Sequence, residues 1–279
     1  MSSSSTVSSG LPASRVSASA RAELVRALSR DYGVHAYGKW RGAFWRLVAL
    51  VDLGAGPGDP GALAAAEETL GWLRSPSRLR AMAKRTIDGR VRRCATQDGL
   101  ALHACCRLGL AGDERVAAIA ESLVETQWPD GGWNCDVRPH VTHSSFNETW
   151  GPVLGLAAFG ERDATERGVG LLLRHRVVFS HRRRTVLAHP VFVKLRYPPY
   201  WHYDLLVGLR TLAAADALGD PRSAPALDLL ESKRLADGIW HVEGRWWKRP
   251  GSKGSNVEAV DWGDTADELL TAHALHVLT

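Results

Sequence analysis

Residues 102–128 read LHACCRLGLAGDERVAAIAESLVETQW, apolar text on both sides of one Gly-Asp pair. The first half is small and apolar around most of a helical circumference. The second half, RVAAIAESLVE, mixes apolar and charged residues at helical spacing. A helix that is apolar all round belongs inside a protein, whereas an amphipathic one turns one face to solvent. Gly112 suits a left-handed helix end, and Asp113 suits the cap of the helix that follows. The stretch predicts a tight hairpin of one inner and one outer helix.

The same text recurs as LVALVDLGAGPGDPGALAAAEETLGWL at 47–73, VLGLAAFGERDATERGVGLLLRH at 153–175 and LRTLAAADALGDPRSAPALDLLESKRL at 209–235. Its junctions are Gly58-Asp59, Gly160-Glu161 and Gly219-Asp220, each Gly again expected in the left-handed conformation. Pro60 and Pro221 fall at the first helical position, where a missing N–H costs nothing. The C-terminal DWGDTADELLTAHALHVLT at 261–279 supplies a fifth helix of the inner kind. Junctions about 48 to 59 residues apart have the period of a repeat architecture. Inner helices are expected at 40–54, 97–111, 145–159, 201–217 and 264–278. Outer helices are expected at 20–31, 59–74, 113–126, 161–177 and 220–233. After outer helices come IDGRV at 87–91, PDGGW at 129–133 and ADGIW at 236–240, each an Asp-Gly turn. The segments leading onward are long, and loops of that length are commonly functional. The expected fold is all-α: a closed ring of about five helical hairpins in one domain over 19–279, with long loops on one face. Residues 1–18, rich in Ser, are expected to form a disordered leader.

Hydrophobic residues make up 45% and charged residues 23% of the chain, the balance of a globular protein in water. The formal charge of +5 is carried largely by Arg, with one cluster, RHRVVFSHRRRTVLAHP at 174–190, and no nucleic-acid motif. Nucleic acid is therefore not an expected partner. No run of about 18 apolar residues and no signal-peptide h-region occurs. Cys94, Cys105, Cys106 and Cys135 form no C-x-x-C pair, so free thiols in a cytoplasmic protein are expected. Eleven Trp suit the lining of a cavity as well as a core.

Residues 127–150, QWPDGGWNCDVRPHVTHSSFNETW, carry the densest chemistry. Asp136 and His143 precede one inner helix, and Glu148 lies one turn into it. His202, Tyr203 and Asp204 begin the next. A carboxylate buried there must be paired or shifted in pKa, which makes these six the candidate acid–base groups. Each also has a plain structural reading as a cap or a hydrogen-bonded core group. Trp40, Phe44, Phe146, Trp150, Trp201 and Trp262 mark the starts of inner helices and are candidates for an aromatic wall around an apolar or cationic ligand. Cys135, His143 and His202 are donors of the kinds zinc accepts. The stretch RWWKRPGSKGSNVEAVDWG at 245–263 has the composition of a lid.

Gln127, Gly131 and Trp133 fit Q-x-x-x-G-x-W, and RLADGIW at 234–240 is similar to a degenerate copy. The chain thereby resembles the squalene–hopene and oxidosqualene cyclases, whose signature this is. Its hairpin repeat resembles the α/α toroid that those cyclases share with protein prenyltransferase β-subunits. The resemblance implies an apolar, isoprenoid-like small-molecule substrate in a central cavity and acid–base-promoted cyclisation, transfer or rearrangement. The cyclase D-x-D-D and the diphosphate-binding D-D-x-x-D are absent. Asp261, Asp264 and Asp267 read instead as helix-start carboxylates. The prenyltransferase side implies a zinc cofactor and sets His143 near its Asp-x-Cys position and His202 on its His-bearing helix. The Asp-x-Cys itself is missing. A zinc-dependent prenyltransferase-like enzyme and a non-catalytic module binding a lipid or peptide remain as alternative readings.

Overall fold

A computed structural model describes residues 16–279 apart from Lys84. The leader expected over 1–18 falls mostly outside the described residues. Where they begin, Ser17 already caps the first helix by accepting a hydrogen bond from Ala20 N.

The described residues are all-α with one short hairpin. Helices α1 (Ala18–Leu28), α2 (Ala43–Asp52), α3 (Pro60–Leu73) and α4 (Pro76–Ala83) precede strands β1 (Thr86–Ile87) and β2 (Arg90–Val91). They are followed by α5 (Ala95–Arg107), α6 (Glu114–Glu125), α7 (Phe146–Phe159), α8 (Asp163–Arg174), α9 (Leu205–Ala214), α10 (Ala224–Glu231) and α11 (Thr265–Leu278). Single 3₁₀ turns stand at Pro190–Val193 and Pro221–Ser223. Helix α4 and the β-hairpin stand outside the expected elements. Asp88 and Gly89 both take positive φ, which is the two-residue turn that joins antiparallel strands.

All four junctions cap as acids should. Asp59 accepts from Ala62 N, Asp113 from Arg115 N, Glu161 from Ala164 N and Asp220 from Arg222 N. The left-handed residue falls where expected at Gly58 and Gly160 but not at the other two junctions. Gly112 and Gly219 are not among the positive-φ glycines. A left-handed residue closely follows each of these inner helices, Gly54 after α2, Gly109 after α5, Gly160 after α7 and Asp216 after α9. A helix ends where its last carbonyls find partners, and Gly160 N–H bonds back to Leu156 and Ala157; the cap then follows after a short link.

Each of α2, α5, α7 and α9 packs on its hairpin partner, respectively α3, α6, α8 and α10. Among themselves α2, α5, α7, α9 and α11 pack in that order. Helix α11 also reaches α2, where His273 Nε2 lies 3.1 Å from Asp52 Oδ2. The tightest pairing is α5 on α7. A Cβ on Gly99 would stand 2.2 Å from the carbonyl carbon of Gly151, and one on Gly155 would stand 2.3 Å from the carbonyl oxygen of Gly99. The two backbones touch because neither carries a side chain there. The Asp-Gly turns are tied by tryptophans: Trp133 Nε1 donates to Leu123 O at 3.0 Å and Trp240 Nε1 to Leu230 O at 2.7 Å. Gln127 Nε2 donates to Gly131 O and to Ala164 O of α8, locking the end of α6 to the next outer helix.

Candidate functional site

Residues of helices α2, α5, α7, α9 and α11 line a cavity of about 850 Å³, together with the segment from Tyr197 to Tyr200. Its walls are chiefly apolar, with Val48, Leu100, Leu154 and Val207 beside the indoles of Trp45 and Trp150. Asp52, His103, Tyr197, Arg210 and His273 interrupt that surface.

Asp52, the last residue of α2, is the hub. Its Oδ2 accepts from Tyr197 Oη at 2.7 Å and lies 3.1 Å from His273 Nε2, and its Oδ1 accepts from Arg210 Nη2 at 2.5 Å. Burial alone would raise this carboxyl, but Arg210 and then His273 outweigh it and hold it well below the ordinary range. Burial, reinforced by Asp52, pushes the Tyr197 phenol well up. Burial followed by Arg210 lowers His273 despite Asp52. Near neutral pH the set is therefore an ionised carboxylate, a neutral imidazole and a protonated phenol. A carboxylate partner fixes Nε2 as the N–H of His273 and leaves Nδ1 as the acceptor. His103, on α5, is held down to about 4 by burial first and by Arg107 next. Its Nδ1 has no partner among the described residues. Tyr200 donates to Glu258, and burial pushes that carboxyl up to about 8, so it keeps its proton at neutral pH.

A second cluster lies at the opposite ends of α5 and α7. Cys94 precedes α5, Cys135 lies in the loop before α7, and Glu148 is in the first turn of α7. Their ligating atoms all lie within 4.8 Å of one another. Thr96 N donates to Glu148 Oε2 at 3.1 Å. The Cys94 thiol is pulled down to about 6, first by its hydrogen bond from Cys135 and, against burial, by Arg85 and Arg78. The same hydrogen bond, with burial, pushes Cys135 up. Burial and then the Cys94 charge push Glu148 up to about 8. Arg78 and Arg93 are both engaged by the buried Asp98, at 3.0 Å and 2.8 Å.

The candidates drawn from sequence are spread widely. Glu148 belongs to the thiol cluster. Asp136 is bound to Arg138 at the surface, 2.5 Å apart. Tyr203 Oη donates to Val177 O at 2.8 Å, and Asp204 caps α9 by accepting from Val207 N at 2.9 Å. His202 is stacked between Trp201 and Trp246, with ring centres 3.7 Å away on each side. His143 is exposed. The trio Cys135, His143 and His202 is therefore not assembled: the loop carrying His143 turns it to solvent, and indole stacking holds His202 elsewhere. Cys94 and Glu148 stand beside Cys135 instead. Of the six aromatic residues, Trp150 lines the cavity. Trp40 stacks on Tyr200 at 3.6 Å and Trp262 packs edge-on against Tyr197 at 5.4 Å, so both support the cavity wall from behind. Phe44 packs on Tyr37 and Trp45, Phe146 on Tyr203 and Phe192, and Trp201 on His202.

Sequence reading passed over Asp52, His103, Arg210 and His273. A signal existed: LVALVD, LHACC, GLRTL and TAHALH set Asp52, His103, Arg210 and His273 into helical text that is otherwise apolar on most sides. A polar group in such a helix must find a partner or face a cavity. No protein-family model, no curated protein and no solved structure matches the chain.

Proposed function

We propose that this chain is an enzyme of the α/α-toroid type. It takes an apolar, isoprenoid-like small molecule into the cavity and promotes cyclisation, transfer or rearrangement by moving a proton. The observation that carries this reading is the Asp52 group, a hydrogen-bonded ionic set built into a chiefly apolar wall. The run of contacts from α2 to α11, with His273 joining α11 back to α2, supports a closed ring.

In this reading Asp52 orients His273 and stabilises the imidazolium formed when Nδ1 takes a proton from substrate, as a carboxylate does beside any general-base imidazole. Tyr200 lines the same cavity and is hydrogen-bonded to the protonated Glu258 behind it, so a proton held by Glu258 would reach the cavity through the phenol, apart from the base. The indoles of Trp45 and Trp150 favour positive charge developing on a hydrocarbon. Apolar walls keep water from quenching it.

The test is thermal stabilisation by farnesol and farnesyl diphosphate, followed by product analysis by gas chromatography–mass spectrometry. The expected result is stabilisation of the wild type and a rearranged or transferred product. Asp52→Asn and His273→Gln should still be stabilised by ligand while turnover falls by about 10²-fold or more. Ligand bound but recovered unchanged would leave a binding module. Absence of stabilisation by either probe would remove the isoprenoid reading.

A further inference from the structure

We propose that Cys94, Cys135 and Glu148 form a zinc(II) site at the N-terminal ends of α5 and α7, a site that does not depend on the reading of the cavity. The three side chains come from separate places in the chain, yet their ligating atoms all lie within 4.8 Å of one another. Donors at zinc distances of about 2.0–2.3 Å in a tetrahedron stand roughly 3.3–3.8 Å apart, so closure on one ion needs shifts of at most about 1.5 Å.

The backbone pre-positions the donors. Arg93 N donates to Asn134 O at 3.0 Å, which pins the residues immediately before Cys94 and Cys135 side by side. Asn134 Nδ2 donates to His143 O at 2.9 Å, and Asp136 N donates to Asn134 Oδ1 at 2.9 Å, closing the loop around Cys135. Thr96 N holds one oxygen of Glu148, and the carboxyl also hydrogen-bonds the Cys135 thiol, a contact that loss of the thiol proton to a bound ion would replace. Such outer hydrogen bonds are what fix metal ligands in place. The contact of Gly99 and Gly155 sets the spacing between the two helices that carry Cys94 and Glu148.

Charge argues the same way. Two thiols and a carboxyl crowded together can all ionise only beside a cation. The guanidinium groups of Arg78 and Arg93 are committed to Asp98, and Arg85, an exposed side chain, supplies one further positive charge for three acidic groups. Two sulfur donors and one oxygen suit zinc and do not suit magnesium or calcium. Among the described residues the group contains no fourth His, Cys, Asp or Glu, which leaves a position for water or a substrate atom. Cys94 and Cys135 are both partly exposed, so an ion can reach them.

The experiment is elemental analysis of the full chain purified without a His-tag, followed by exchange of the metal for cobalt(II). The expected result is about one zinc per chain and a cobalt spectrum with thiolate charge-transfer and tetrahedral d–d bands. Cys94→Ala and Cys135→Ala should each lose zinc and weaken the charge-transfer band. Glu148→Gln, closest in shape to the wild type, should bind zinc at least tenfold more weakly with an unchanged helical circular-dichroism signal. Cys106→Ala and His143→Ala should retain the metal. Three results would overturn the proposal: no zinc or cobalt on folded wild type, full zinc on the Cys94→Ala/Cys135→Ala double variant, or a Cys94–Cys135 disulfide, seen as the mass loss of two hydrogens, in freshly purified protein.

Discussion

Replacing Gly155 by Ala tests the contact on which both candidate sites depend. The new Cβ would stand 2.3 Å from Gly99 O and 3.1 Å from Leu102 Cβ. A carbon tolerates a carbonyl oxygen at about 3.3 Å or more, so α5 and α7 must part by roughly 1 Å. A gap of that size forfeits about a quarter to a half of the dispersion attraction along the seam. Overpacking typically costs about 1–3 kcal/mol, and with backbone as the obstacle the upper end applies. Alanine recovers about 1 kcal/mol through helix propensity. The net loss is then about 2 kcal/mol, or roughly 4–8 °C in melting temperature for a chain of this size. Gly170→Ala is the control, because a Cβ on that α8 glycine meets nothing within 4 Å. It should raise the melting point by up to about 2–4 °C, the propensity gain alone. Thermal melts followed by circular dichroism measure both. If Gly155→Ala melts at or above wild type, the backbone contact between α5 and α7 does not exist as described.

Asp98→Asn should destabilise by about 3–5 kcal/mol, because it strands the buried Arg93 without its counter-charge; urea titration of both proteins at pH 7 measures it. Burial would raise the Asp98 carboxyl, but Arg93 and Arg78 hold it below its ordinary value. Its contribution is therefore complete above about pH 4 and is lost as pH falls through the folded value. His103 has the same sign at higher pH. Folded it titrates near 4, whereas an unfolded histidine takes its proton near 6.5, so stability is intact above that pH and declines toward 4 at up to about 1.4 kcal/mol per pH unit. Urea midpoints at pH 7, 6 and 5 should show that slope, and His103→Gln should reduce it. Trp240→Phe removes the donor that satisfies Leu230 O at the end of α10 and should cost about 1 kcal/mol; an unchanged urea midpoint would mean that water takes over the carbonyl.

The hairpins were legible in the sequence because their causes are local. Apolar text, an acid cap at Asp59, Asp113, Glu161 and Asp220, and Pro at the first helical position act within one turn of the residues that carry them. The helical edges consequently fall within a few residues of expectation. The same locality made the Asp-Gly-Trp turns readable, since Trp133 and Trp240 fold back onto helices only ten residues earlier. The sites were not local. Asp52 meets Tyr197, Arg210 and His273 across sequence separations of 145, 158 and 221 residues, and no spacing rule spans such distances. Cys135 was singled out because it sits in a dense stretch, whereas Cys94, 41 positions earlier, is its neighbour only because Arg93 and Asn134 pair their backbones. His143, eight residues from Cys135, is turned outward by that same loop. Local side-chain and backbone preferences thus determined the helices and their caps by themselves. Which ionisable groups share a cavity or a cluster was decided by tertiary packing, where contact depends on how helices approach and on which glycines let them.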